Sequence, residues 1–266
     1  MAEVLTEVLD DGLLTLTLNR PESRNAMNPD LCEALAEAIP RIATDKRVRA
    51  LLMTGADGTF CVGGDVGGMG DGKAPPPEPE TLEQQSTRLR HWVEAARLLH
   101  EMPKPTVAAV EGAAAGAGLS LALACDFRVV ARGAKITTAF ARVGLSGDYG
   151  GSWFLTRLIG PAKARDLYLL PRVMLGDEAD RLGLVSRLVG DGQAEDGARA
   201  LARSLADGPP LTFAAMKANL NLAIDAPLAE LLDHESTRHM ASSRTEDHKE
   251  AVAAFLAKRT PVFHGR

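Results

Sequence analysis

Two stretches of small residues can do chemistry with their main chain: Phe60-Cys-Val-Gly-Gly-Asp65 and Gly112-Ala-Ala-Ala-Gly-Ala-Gly118. Each follows an apolar run and frees backbone N–H groups that a ligand can approach closely, because glycine and alanine put little in the way. A helix starting at about Ala117 would aim its unpaired N–H groups and positive dipole end at an oxyanion. Tight packing of helix on strand would call for the same small residues. Nucleotide chemistry fits less well, since no Gly-x-x-x-x-Gly-Lys-Ser/Thr is present and Gly112, Gly116 and Gly118 have the wrong order for Gly-x-Gly-x-x-Gly. Gly118-Leu-Ser-Leu-Ala122 falls one residue short of the serine-hydrolase elbow. Ser120, inside an apolar helical run, is better read as a hydroxyl bonded to a backbone carbonyl than as a nucleophile.

The elements that must hold these turns follow from periodicity. Val4 to Leu9 and Leu13 to Asn19 read as strands around the turn Asp10-Asp11-Gly12. Asn28-Pro29 opens a helix whose apolar face carries Leu31, Leu35, Ala38, Ile39 and Ile42, ending near Asp45. Val48 to Met53 is a buried strand entering the first glycine-rich loop, after which a helix is expected. Gly70 to Glu80, GDGKAPPPEPE, is expected to be a mobile surface excursion and a candidate lid. A helix over 81–101, a strand over Thr106 to Val110, a helix over Leu119 to Ala124, and strands at Phe127 to Ala131 and Ile136 to Thr138 complete a repeated strand-loop-helix pattern. Beyond about Gly190 the chain reads as helices at 193–207, 210–222, 227–242 and 247–258. Two regions are therefore expected, a core over 1–192 and a helical tail over 193–266 that packs on another subunit.

The chain has 266 residues and a formal net charge of −5. No basic cluster is present to hold nucleic acid. No apolar run approaches the roughly 18 residues of a membrane span, so neither nucleic acid nor membrane is an expected partner. Cys32, Cys61 and Cys125 show no ligand spacing, and three is an odd number for a disulfide framework. The start MAEVLTEVLDDG lacks a signal-like pattern, and a cytoplasmic location is expected. His91 and His100 are read as surface positions, the remaining histidines lack metal-ligand spacing, and no metal is expected.

Asn19-Arg-Pro-Glu-Ser-Arg-Asn-Ala-Met27, the two glycine/alanine turns, Pro103-Lys-Pro-Thr-Val-Ala-Ala-Val-Glu-Gly112 and Ala124-Cys-Asp126 together resemble segments of the enoyl-CoA hydratase/isomerase (crotonase) family. Val143 to Gly151, Ala179 to Val185 and Phe255 to Arg259 continue the resemblance in the same order. The resemblance implies an α/β fold, a spiral of ββα units followed by a helical trimerisation region, and hence a homotrimer or dimer of trimers. It implies an acyl-CoA thioester as substrate and no separate cofactor, coenzyme A being part of the substrate. Carried over, the oxyanion donors fall on the N–H groups of Gly64 and Ala117, worth roughly 3 kcal/mol each in the transition state. CoA contacts fall on Arg24, Ala26, Val62, Asp65 and Val66, with Phe255 and Lys258 reaching CoA from a neighbouring subunit.

The two glutamates of the family's hydratases fall on Ser120 and Phe140, neither of which can act as a general base. The acidic residue of its double-bond isomerases falls on Asp148. One carboxylate suffices to remove a proton beside the carbonyl and return it two carbons along. The expectation is therefore isomerisation of an enoyl-CoA with Asp148 as acid/base. Hydration and non-catalytic acyl-CoA binding are the rival readings, and a thioesterase using Ser120 is a third. Asp148 read by its neighbours alone would be a turn residue bonded to its own backbone. Tyr149 and Trp153 are candidates to line the acyl pocket, as helix or core packing would equally place them.

Overall fold

A computed structural model describes residues 3–66 and 80–266. Of the expected surface excursion and candidate lid at Gly70 to Glu80, residues 70–79 lie outside the described residues, as does the body of the helix expected after the first glycine-rich loop. β1 (Leu5–Asp10) and β2 (Leu13–Leu18) form the expected hairpin, with Asp10 paired to Leu13. β2 pairs in parallel with β3 (Ala50–Gly55), which pairs in parallel with β4 (Thr106–Val110). β4 continues the sheet in parallel to β6 (Phe127–Ala131) and then β9 (Arg187–Val189). A second sheet joins β5 (Ala113–Ala115), β7 (Lys135–Thr137) and β8 (Met174–Leu175).

Helices cover both faces of the larger sheet, which is why its strands read as continuous apolar runs. On one face Leu14, Leu16, Leu18, Leu51, Met53, Ala108 and Val110 share a core with Leu31, Leu35, Ile39 and Ile42 of α1 (Pro29–Thr44) and Leu99 of α2 (Leu82–Glu101). Both helices start as their sequences dictate. Asn28 accepts the Leu31 N–H at 3.0 Å, and Thr81 with Gln84 forms a capping box. The alternate residues Leu13, Ala50, Leu52, Val107, Ala109 and Val129 face the other way. There they meet Ala198, Leu201, Ala202 and Ala206.

Three more helices follow in the chain: α3 (Ala117–Ala124), every residue of which is buried, α4 (Gly151–Leu169) and α5 (Gly176–Arg181). Four further helices follow: α6 (Ala194–Ala206), α7 (Pro210–Leu222), α8 (Leu228–Ser242) and α9 (Glu246–Ala257). The division expected at 192/193 falls just before α6, and α6 itself covers a face of the large sheet. No helix among the described residues is long and apolar enough to cross a membrane.

Several elements depart from the sequence reading, among them β8, α5 and β9, which lie where no strand or helix is expected. β5 lies inside the stretch expected to be loop, because three alanines give no strand pattern until β7 pairs with them. α4 was not expected either: Gly160-Pro161 in its middle reads as a terminator, and Gly160 does break the helix there with φ 78° and ψ 160°, so α4 is two helical segments joined at a kink, the second opening at Pro161.

One side chain fastens α7 to the core. Lys217 is buried and donates to Leu99 O at 3.1 Å and Lys104 O at 3.2 Å, and it pairs with Asp126 Oδ2 at 2.8 Å. The same carboxylate accepts the Thr106 N–H at 2.8 Å. Lys217→Met leaves three acceptors without their shared donor and should lower stability by about 3–5 kcal/mol in urea unfolding. A loss below about 1 kcal/mol would mean that the pair behaves as a solvent-screened surface bridge.

Candidate active site

The two glycine/alanine turns lie edge to edge because the main chain stitches them together. Cys61 N–H donates to Ala113 O at 3.0 Å, and Ala115 N–H returns to Cys61 O at 3.0 Å. Their approach depends on missing side chains. A Cβ on Gly63 would sit 2.8 Å from Ala115 O, and one on Gly118 would sit 2.4 Å from Cys61 O. On the far side, Met27 N–H donates to Gly63 O at 2.8 Å and Asp65 N–H to Met27 O at 3.0 Å.

Within this frame neither the Gly64 N–H nor the Ala117 N–H donates a hydrogen bond among the described residues. Ala117 opens α3, whose first turn has no internal acceptors to offer. Gly116, the residue before it, has φ 50° and donates to Thr137 O at 3.1 Å, which fixes the direction of the helix start. Two unengaged donors on facing turns can hold a negatively charged oxygen.

Asp148 sits among residues of positive φ, with φ 104° at Gly147, 48° at Tyr149 and 72° at Gly150. Its Oδ1 is buried and makes no hydrogen bond, so it does not bond its own backbone as a turn aspartate would. Burial pushes its carboxyl from an ordinary 3.8 up to about 6. Its charge acts on Cys32, Cys61, Tyr149 and Tyr168. Burial keeps these four neutral, with Cys61 and Tyr168 each pushed up to about 12 and Cys32 and Tyr149 also raised. Near neutral pH Asp148 is therefore a group whose protonation can change among neighbours that stay neutral.

Ser120 is buried and its hydroxyl donates to Gly116 O at 3.2 Å, the backbone bond expected of it and a poor arrangement for a nucleophile. Phe140 is buried, its ring stacked on Tyr168 with centroids 6.0 Å apart. Tyr149 is buried with its hydroxyl against the Cys32 thiol. Trp153 packs edge-on to His100 and Phe154 with the Arg157 guanidinium 3.8 Å from its ring, a helix-packing environment. His100 corrects its surface reading: the ring is half-buried between Trp153 and Phe154, and burial lowers its pKa.

The residues expected to contact CoA fall into two groups. Arg24, exposed at φ 53°, accepts the Val62 N–H on its carbonyl at 3.3 Å. Asp65 Oδ2 takes both guanidinium nitrogens of Arg20 at 3.1 Å, and Arg20 also donates to Ala26 O. Val66 is exposed beside them. Phe255, 83 % exposed, and Lys258 stand on the tail without a bond to this cluster.

Two residues were missed from sequence. Arg20 lies inside the Asn19 to Met27 segment, and its partner Asp65 is 45 residues away, so only the fold shows the pair. Tyr168 lies beyond Gly160-Pro161 in the helix that periodicity did not reveal.

The family model described as enoyl-CoA hydratase/isomerase matches residues 9–266. A protein of Escherichia coli K12 named 1,2-epoxyphenylacetyl-CoA isomerase is 38 % identical, the match covering 100 % of both chains. The (E)-benzylidenesuccinyl-CoA hydratase of Thauera aromatica is 35 % identical over 94 % of this chain and 94 % of its own. Among solved structures, an enoyl-CoA hydratase from Polaromonas sp. JS666 superposes with a TM-score of 0.89 and 34 % identity, covering 98 % of this chain and 99 % of that one.

Proposed function

Since the chain belongs to the enoyl-CoA hydratase/isomerase family, and so is an acyl-CoA enzyme of that type, we propose that it isomerises its thioester substrate through an enolate. Asp148 carries the proton, and the N–H groups of Gly64 and Ala117 hold the thioester oxygen. The observation that carries this reading is the Asp148 carboxyl: buried, without a hydrogen bond at Oδ1, and raised to about 6. A base in that range removes a proton beside a thioester carbonyl near neutral pH and returns it as an acid from the same oxygen. As negative charge moves onto the thioester oxygen, the two amides hold it more strongly than they hold the neutral carbonyl. No cofactor is needed for these steps.

The similarity to a protein named as an isomerase supports this reading. Hydration is the second reading, favoured by relatives named as hydratases, with Asp148 activating a water near Ser120. The side chains weigh against it. Ser120 is bonded to a carbonyl and Phe140 has no proton to move, so Asp148 would have to serve alone where water addition also needs a proton delivered to carbon. The exposed apolar residues Phe255, Leu256, Leu220 and Leu228 support a homotrimer or dimer of trimers, in which Phe255 and Lys258 reach a neighbour's CoA.

The enzyme should convert a β,γ-unsaturated acyl-CoA to its α,β-isomer, with kcat/KM falling roughly tenfold per pH unit below about pH 6. The group acts first as a base, so it must be ionised, and acid removes activity. Formation of β-hydroxyacyl-CoA from the α,β-unsaturated thioester, without migration of the double bond, would move the assignment to hydration. An acid limb near the ordinary carboxyl pKa of about 4 would remove Asp148 from the reaction.

A further inference from the structure

We propose that Ser120, backed by Tyr168, is a positioning residue that aims and strengthens the Ala117 N–H by hydrogen-bonding the carbonyl of the same peptide group. The inference rests on the reading of Ala117 as an oxyanion donor. The carbonyl of Gly116 and the N–H of Ala117 belong to one planar amide, so a bond to the oxygen fixes the direction of the N–H. It also draws electron density from the nitrogen, which makes the N–H a better donor.

Gly116 O receives two bonds from one residue: the Ser120 N–H at 3.0 Å and the Ser120 hydroxyl at 3.2 Å. Ser120 is 1 % exposed, so water cannot replace its hydroxyl when it is removed. Behind it stands a second hydroxyl. The Tyr168 hydroxyl stands close to the Ser120 side chain, and the two crowd one point beside Gly151. A Cβ there would lie 2.3 Å from Ser120 Oγ and 2.5 Å from Tyr168 Oη. The ring of Tyr168 is held by its stack on Phe140. A polar chain thus runs from Ser120 through the Gly116–Ala117 amide toward the substrate oxygen, with the Tyr168 hydroxyl beside its outer end.

The other donor is backed differently. Gly63 O, on the same amide as the Gly64 N–H, accepts the Met27 N–H at 2.8 Å, a main-chain bond that no side chain controls. Of the two backing bonds, only the one behind the Ala117 N–H comes from a side chain. If hydrogen bonding at the carbonyl strengthens that donor by roughly 10–30 %, and the donor is worth roughly a hundred- to thousandfold in kcat, removing the Ser120 hydroxyl costs roughly two- to eightfold.

The test is infrared spectroscopy of a saturated acyl-CoA with an isotope-labelled thioester carbonyl, bound to wild type, Ser120→Ala, Tyr168→Phe and Ser120→Thr. Binding to wild type should lower the carbonyl stretching frequency. Ser120→Ala should give back part of that lowering and reduce kcat roughly two- to eightfold with KM unchanged. Tyr168→Phe should give back a smaller part, and Ser120→Thr, which keeps the hydroxyl, should restore both frequency and rate. A wild-type frequency shift that survives intact in Ser120→Ala overturns the inference and leaves the proposed function standing. No shift in wild type overturns the oxyanion reading itself.

Discussion

Asp148→Asn should lower kcat by roughly 10²–10⁴-fold, the contribution of a well-placed acid/base group, while binding of CoA thioesters persists. The same change should make the folded chain harder to melt at neutral pH. The carboxyl has a pKa of about 6 when folded and an ordinary value of 3.8. Below about pH 4 both folded and unfolded chains hold the proton. Between about 4 and 6 the unfolded chain has lost it while the folded chain keeps it, so stability declines as pH rises through that window and remains lower above it. Asparagine carries no such penalty. The melting temperature of the variant should exceed that of wild type at neutral pH, and the two should converge as pH approaches about 4. Retained turnover, or thioester binding lost along with it, would show that Asp148 does something other than move the proton.

Gly118→Ala should damage the same reaction from the opposite side. The added carbon would lie 2.4 Å from Cys61 O and 2.7 Å from its Cβ and Sγ, all buried atoms with no room to retreat. Relief requires the helix start and the first turn to move apart, and the Gly64 and Ala117 amides part with them. Loss of one aligned donor costs roughly 10²–10³-fold in kcat, and at least that is expected. The overpacking should lower stability by about 1–3 kcal/mol, which circular dichroism and a thermal melt will separate from the loss of rate. The acid limb set by Asp148 should stay where it was. Wild-type kcat in a folded Gly118→Ala protein would break the link between the contact of the turns and the oxyanion donors.

The parts of this protein that sequence reveals are those governed by local rules. Asn28-Pro29 and Thr81 with Gln84 announce helix starts because capping involves residues three apart. β3, β4 and β6 announce themselves as apolar runs because helices bury both faces of their sheet. β5 did not, since three alanines become a strand only through pairing with β7. α4 did not, because Gly160-Pro161 carries a local break that the fold keeps as a kink, splitting the periodicity into two short segments. The site divides in the same way. The two turns were legible from their small residues, whereas the proton-carrying reading of Asp148 needed the family's order of segments. What sets its proton affinity is burial by chain distant in sequence. Tyr168 and the Arg20–Asp65 pair depend on folded proximity alone.

Cys32, Cys61 and Cys125 are all buried, and burial raises each thiol, two of them to about 12. Exchange and alkylation both require a thiolate that a reagent can reach. A protein handling thioesters works alongside free coenzyme A, itself a thiol, and this one presents no sulfur on which a mixed disulfide could form. The unmodified chain is accordingly its own blank for site-directed labelling: a single cysteine introduced at an exposed tail position would be the one place where a maleimide dye attaches.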